Sequence, residues 1–189
     1  MKEHKPFLPN RQECKNYTLF IDRDGVINQP IIDDYAKKPQ DLKFIDGAIK
    51  AIGILQSLFK QVIMVTNQQG VGKGVMTNQD LEDVHLKLYN QIKTEGLNYF
   101  DLALYAPYLK TDNHNWRKPQ NGMLLKASNS LKDIDFNKAI MVGDSPGDMA
   151  LADAVNCIKV RIKNNQFSFN NQHYTFTSLI DFTKYLTKE

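Results

Sequence analysis

The sequence predicts an α/β fold: a Rossmann-like three-layer sandwich built on a central parallel sheet. Two observations carry that prediction. From residue 17 onward, short β-rich runs alternate with longer segments of helical period, as expected of parallel strands joined by crossover helices. Three of the runs also end in polar clusters: Asp22 and Asp24 after the first, Thr66 and Asn67 after the second, Asp144 and Asp148 after the fourth. Ligands of open parallel sheets bind at the carboxyl ends of the strands, so these clusters are expected to converge on one site.

Each element is read in turn. YTLFI (17–21) is the first strand, and a loop rich in Pro and Asp leads to a helix starting at Asp46–Gly47, with Ile49, Ile52, Leu55 and Phe59 at helical spacing. VIMV (62–65) is the second strand. A helix over 78–95 carries Leu81, Val84, Leu88 and Ile92 on one face, and DLALY (101–105) is the third strand. MLLKASNSL reads as helix, AIMV (139–142) as strand, DMALADAV as helix and CIKV (157–160) as strand. NNQFSFNNQ reads as a loop, and TFTSLIDFTKYL as a short strand or turn entering a last helix.

A chain of 189 residues fits one domain, placed here at 17–189 behind a polar arm, 1–16, that lies on the surface or wraps a neighbour. Hydrophobic residues at 42% and charged residues at 24% exclude a disordered or collagen-like chain and leave enough for a sizeable core. The formal charge of +3 is spread along the chain, which disfavours a nucleic-acid partner and suits a small anionic one. The opening MKEHKPFLPNRQECKN lacks the apolar core of a signal peptide, and no apolar run approaches the roughly 18 residues that span a bilayer. The reading is a cytoplasmic protein with no membrane partner, a monomer as first guess, whose Cys14 and Cys157 are free thiols.

In FIDRDGVIN, an extended chain past the strand would point Asp22 and Asp24 one way and Arg23 the other. Two carboxylates this close call for a cation or a shared proton, and one can act as nucleophile while the other serves as general acid. A calcium loop is excluded, because Val26 and Ile27 stand where such a loop needs a ligand and a glycine. VTNQQGVGKG is neither a P-loop, since Gly74 follows Lys73, nor a dinucleotide fingerprint, since Val75 stands where Gly or Ala belongs. What it offers is Thr66, a hydroxyl at a strand end followed by backbone amides able to cradle phosphate oxygens. Lys118, extended by the following Pro119, can neutralise a transferring phosphoryl group. In MVGDSPGDM, Asp148 sits where a capping box over Ser145 and Pro146 places its acid, and whether it also faces a metal stays open. Asp144 has no such role, and beside Asp22 and Asp24 it makes an oxygen-rich site suited to Mg²⁺.

The order D-x-D-G, Thr, Lys, G-D-x-x-x-D over residues 17–160 resembles the haloacid dehalogenase superfamily. The resemblance implies a Mg²⁺-dependent phosphatase with Asp22 as nucleophile, Asp24 as general acid and base, and Thr66 and Lys118 as phosphoryl stabilisers. It also implies that Asp22, Asp24 through its carbonyl, and Asp144 hold the metal. FIDRDGVIN, VTNQQGVGKG, RKPQNGMLLKA and VGDSPGDM look closest to the D-glycero-D-manno-heptose 1,7-bisphosphate 7-phosphatases, and next to the histidinol-phosphate phosphatases. In that group Arg117 and the stretch Thr66, Asn67, Gln68 and Gln69 would contact substrate. The intervals from Asp22 to Thr66 and from Thr66 to Lys118 are too short for a cap domain, which leaves Gln29 to Lys38 as the only flap. Related phosphatases usually bind zinc before Arg-Lys-Pro, but Ala106, Tyr108, His114 and Trp116 occupy the ligand positions here, so no structural zinc is expected. The substrate is expected to be a small phosphorylated metabolite, heptose bisphosphate first. Histidinol phosphate, a nucleic-acid 3′-phosphate, or a silent phosphate-binding module on the same fold are the rivals.

Overall fold

The computed structural model describes residues 7–164, 167 and 174–188. Six parallel strands form one sheet: β1 (Thr18–Ile21), β2 (Gln61–Asn67), β3 (Leu102–Ala106), β4 (Ala139–Gly143), β5 (Ile158–Ile162) and β6 (Tyr174–Phe176). Their order is β3-β2-β1-β4-β5-β6. Winding therefore reverses between β1 and β4, and the crevice at that reversal is where doubly wound sheets bind ligands.

The helices are α1 (Ala48–Leu58), α2 (Gln69–Gly72), α3 (Asn78–Thr94), α4 (Gly122–Ser130), α5 (Pro146–Ala154) and α6 (Leu179–Thr187). Strand residues alternate between two apolar layers. Leu19, Ile21, Val62, Met64, Ile140 and Val142 pack against α1, α3 and α6, whereas Phe20, Ile63, Val65, Ala139 and Met141 pack against α4 and α5. This is the expected three-layer sandwich, with neither interval around β2 holding a cap. Most elements fall within two residues of their sequence-read spans, and β6 is the short strand read ahead of the last helix.

Local chemistry explains the helix starts. Thr77 accepts the Asp80 N–H while the Asp80 carboxylate accepts the Thr77 N–H, a reciprocal cap that opens α3. At α5 the Asp148 carboxylate accepts the Ser145 N–H while the Asp148 N–H donates to the Ser145 carbonyl, with Pro146 in the first turn. The described part of the N-terminal arm packs on the domain: Cys14 joins the core beside α1, and the Leu8 N–H donates to the Tyr174 hydroxyl. The loop read at 164–172 lies, apart from residues 164 and 167, outside the described residues. Among the described residues no helix is long and apolar enough to cross a membrane.

Candidate active site

Asp22 follows β1 directly, and its N–H still donates to the Val142 carbonyl of β4, which ties it to the reversal crevice. The chain does not stay extended beyond it. The Arg23 carbonyl accepts the N–H groups of Val26, Ile27 and Asn28, and Gly25 takes φ +79°. A Cβ on Gly25 would lie 1.9 Å from Asp144 Oδ2, so this glycine supplies both the left-handed turn and the room for the Asp144 carboxylate.

Asp22 Oδ1 accepts the Arg23 N–H at 2.7 Å and faces Lys118 Nζ at 2.8 Å. The same ammonium lies 2.7 Å from Asp148 Oδ1 and donates to the Val65 carbonyl at 3.0 Å. Asp148 therefore has two roles at once. Its Oδ2 accepts the Ser145 N–H and hydroxyl at 3.0 and 2.6 Å as the α5 cap, and its Oδ1 holds the lysine. Asn67 has its side chain committed elsewhere than expected: Oδ1 accepts the Lys118 N–H at 3.0 Å and Nδ2 donates to the Lys118 carbonyl at 3.1 Å. It clamps the lysine backbone.

Oxygens of Asp22, Asp144 and Asp148 lie within 4.8 Å of one another, all three residues buried. Three carboxylates against the single Lys118 ammonium leave a formal charge of −2, which one divalent cation would cancel. Burial and the neighbouring Asp148 and Asp144 push the Asp22 carboxyl up to about 8 despite Lys118. Burial and Asp148 push Asp144 up to about 7. Lys118 moves above its ordinary value because Asp148 and Asp22 outweigh the cost of its burial. The donor set, hard oxygens with an uncompensated double charge, fits Mg²⁺. Asn164 steadies it, donating to Asp144 Oδ2 at 2.7 Å and to the Asp144 carbonyl at 3.1 Å.

Asp24 has a separate set of partners, and its side chain stands outside the three-carboxylate cluster. Arg23, expected to point away, folds back and is 1% exposed. Its Nη2 donates to both Asp24 oxygens at 3.0 Å, because the turn at Asp22–Gly25 ends the strand-like alternation. Asn28 and Gln68 add hydrogen bonds to Asp24 at 2.9 and 2.7 Å. Burial works to raise this carboxyl, but the Arg23 charge and these hydrogen bonds outweigh it and hold Asp24 below the ordinary value. Gln68, read as a substrate contact, is 1% exposed and lies beneath the site.

Arg23 Nη1 in turn lies 3.0 Å from His85 Nε2 on α3. A guanidinium only donates, so Nε2 accepts and the ring is neutral. Burial, followed by the Arg23 charge, pushes His85 down to about 3, against a smaller opposing effect of Asp24. The folded state thus keeps His85 neutral where the unfolded chain would protonate it near 6.5, so its contribution to stability is complete above about pH 6.5 and is lost as pH falls towards 3. We expect the melting temperature to fall between pH 7 and pH 5 and the fall to be shallower in His85→Gln. Equal slopes would remove His85 from this role.

The rim is built from loops. Gln69 Nε2 donates to the hydroxyl of Tyr35 from the 29–38 flap, its Oε1 accepts the Lys110 N–H, and Lys73 lies over the Tyr35 ring. Arg117 Nη1 donates to the Tyr108 carbonyl, and partial burial lowers its proton affinity against the smaller opposing effects of Tyr35 and Asp112. The Tyr108 and His114 rings stack at 3.4 Å between centroids, and Tyr108 and Trp116 pack on the α4 and α5 layer. The sequence leaves Asp148 open between helix cap and metal shell, and it does not mark Arg23, His85, Asn28 or Asn164 as site residues. Only Asp148 had a local signal, its cap spacing; the others meet the site through turns and long-range packing.

A carboxylate at the end of the central strand, a second carboxylate two residues on, and a lysine reaching back from the connection between β3 and α4 form the site of a phosphohydrolase of the haloacid dehalogenase type. A family model described as polynucleotide kinase 3 phosphatase matches residues 19–185, and the chain belongs to that family, within this superfamily of phosphate-ester hydrolases. The D-glycero-alpha-D-manno-heptose-1,7-bisphosphate 7-phosphatase of Mycobacterium tuberculosis is 34% identical over 136 residues, 72% of this chain and 71% of that protein. The bifunctional histidine-biosynthesis protein HisB of Buchnera aphidicola is 31% identical over 175 residues, 92% of this chain but 46% of that protein. The fold matches a D,D-heptose 1,7-bisphosphate phosphatase of B. bronchiseptica, complexed with magnesium and phosphate, with a TM-score of 0.82 at 24% identity, over 91% of this chain and 98% of that one.

Proposed function

We propose that the protein hydrolyses a small sugar phosphate, heptose 1,7-bisphosphate first, through an aspartyl phosphate on Asp22 with Mg²⁺ held by Asp22, Asp144 and the Asp24 carbonyl. The observation that carries the reading is the division of labour on Asp22: Oδ1 is fixed by the Arg23 N–H and Lys118, and Oδ2 has no hydrogen-bond partner among the described residues. Oδ2 attacks phosphorus while the ester oxygen leaves with a proton from Asp24. Asp24 then takes a proton from water as that water attacks the phosphoryl group and releases Asp22. Mg²⁺, when bound, neutralises charge on the phosphoryl oxygens and the carboxylates. Thr66 donates to a phosphoryl oxygen, while Lys118 keeps the nucleophile oriented and limits the repulsion between Asp22 and Asp148. At rest Asp24 is held ionised by Arg23 and its hydrogen bonds, ready as the base; for the first half it takes up a proton from solvent as the negative charge of the bound phosphate raises its proton affinity.

Gln69 and Arg117, with Tyr35 and Lys73, form the rim that reads the rest of the substrate. The resemblance to heptose bisphosphate phosphatases supports a sugar substrate, and the match to HisB along 92% of the chain makes histidinol phosphate the second candidate. Burial pushes Cys14 up to about 11 and Cys157 up to about 12, unreactive thiols that suit a cytoplasmic enzyme. Assays with Mg²⁺ across heptose bisphosphate, hexose phosphates, histidinol phosphate and 3′-phosphorylated oligonucleotides test the proposal. Hydrolysis of the oligonucleotide alone would overturn it.

Tyr108 and His114 occupy two of the positions that the resemblance would give to zinc ligands, and their stacked rings can fix a loop without an ion. We expect purified protein to carry no stoichiometric zinc. A zinc-selective chelator should leave the melting temperature unchanged, whereas EDTA should abolish activity that Mg²⁺ restores. Stoichiometric zinc within residues 106–116 would show that the loop is built otherwise.

A further inference from the structure

Gln68 lies one residue beyond β2, with an amide enclosed by three polar partners. Nε2 donates to Asp24 Oδ2 at 2.7 Å and to Thr66 Oγ1 at 3.0 Å, and Oε1 accepts from Arg23 Nη2 at 3.1 Å. The amide has only one workable orientation. Turned over, its NH₂ would face a guanidinium that cannot accept and its carbonyl a carboxylate that cannot donate. Arg23 is itself fixed from the far side by His85 and by both oxygens of Asp24, so the orientation is imposed by buried groups and not by solvent.

The consequence falls on Thr66. Its hydroxyl has one proton and two lone pairs, and one lone pair is taken by the Gln68 N–H. The proton cannot point at Gln68, and it has no acceptor among the described residues although Thr66 is only 1% exposed. We propose that Gln68 is a positioning residue that sets the sense of the Thr66 hydroxyl, holding its proton outward for an incoming phosphoryl oxygen while the same amide keeps the Asp24 carboxylate in place. This rests on the reading that Thr66 and Asp24 face the phosphoryl group. A donor oriented before the reaction needs no reorganisation when charge develops, and one such donor is worth about 10²–10³-fold in rate. One amide thus couples the phosphoryl donor to the acid–base residue.

The near-isosteric Gln68→Glu replaces the N–H at Thr66 with an acceptor, so the hydroxyl turns inward and is lost to the substrate. The test is a double-mutant cycle with Thr66→Val, read as kcat/KM and as the inhibition constant of inorganic phosphate in the presence of Mg²⁺. In the parent, Thr66→Val should lower kcat/KM by about 10²-fold and weaken phosphate inhibition. In the Gln68→Glu background the same change should cost less than about threefold in both measurements. A merely structural role for Gln68 would leave the cost of Thr66→Val the same in both backgrounds, and that result overturns the proposal. If Gln68→Glu does not fold, Gln68→Met carries the same cycle: with the amide gone, the hydroxyl rotates freely, and Thr66→Val should cost clearly less than in the parent, an equal cost again overturning it. If Thr66→Val has no effect even in the parent, the phosphoryl role of Thr66 falls, and the proposal with it. That outcome is told apart from the failure of Gln68 alone by the parent measurement.

Discussion

Asp22→Asn should fold normally and lose essentially all turnover, with kcat down on the order of 10⁴–10⁶-fold, the scale seen when a covalent catalyst loses its nucleophile. The reason the fold survives is geometric. Asparagine keeps the carbonyl oxygen that accepts the Arg23 N–H and faces Lys118, so neither buried donor is stranded. It also removes one of the charges in a cluster where burial and like charge already push the native carboxyl up to about 8. The melting temperature without metal should therefore be unchanged or higher at pH 8. Phosphate monoester hydrolysis is among the slowest uncatalysed reactions, accelerated by enzymes up to about 10²¹-fold. Well-folded Asp22→Asn protein with near-native turnover would rule out the aspartyl-phosphate route.

Asp24→Asn should be damaging to a lesser degree and for a different reason. Native Asp24 accepts hydrogen bonds on both oxygens, from Arg23, Asn28 and Gln68. Asparagine can accept on one side only and turns its own NH₂ against donors on the other, so the variant loses the acid–base group and the order around it. General acid–base catalysis contributes about 10²–10⁴-fold, and turnover of a poor leaving group should fall by that much. A substrate with a very good leaving group needs no proton in the first half. It should give a rapid burst of phosphoryl-enzyme followed by slow release, because water still lacks its base. Equal slowing of both kinds of substrate with no burst would assign Asp24 a structural part instead.

The convergence of the candidate groups was legible because each stands at a strand end marked by an apolar run, and the topology of parallel sheets brings such ends together. Asp22, Thr66 and Asp144 follow from that logic alone. The same logic misread Arg23. Alternation holds only while the chain stays extended, and three amides turning onto the Arg23 carbonyl end that immediately after Asp22. Asn67 and Gln68 were expected at the substrate on the family resemblance alone; here their amides complete a backbone clamp and a buried network. His85 reads in sequence as one residue of an amphipathic helix, and nothing local distinguishes it. Its meaning depends on which residue of β1's following turn α3 is packed against. Asn164 follows β5, far along the chain from the Asp144 carboxylate it steadies.

The strand order has a consequence for how the protein comes into being on the ribosome. β1 is flanked by β2 on one side and β4 on the other, so the first half of the chain can pair β1, β2 and β3 while one edge of β1 stays open. Asp22, Thr66 and Gln68 are then present, but the Asp144 and Asp148 carboxylates reach the crevice only once β4 zips onto that edge. A chain that stops short of β4 thus lacks two of the three clustered carboxylates, and the pairing of β4 with β1 both supplies them and closes the open edge of β1. Two separately expressed fragments divided between β3 and α4 should each be inert, and activity regained on mixing would report the pairing of β1 with β4 directly.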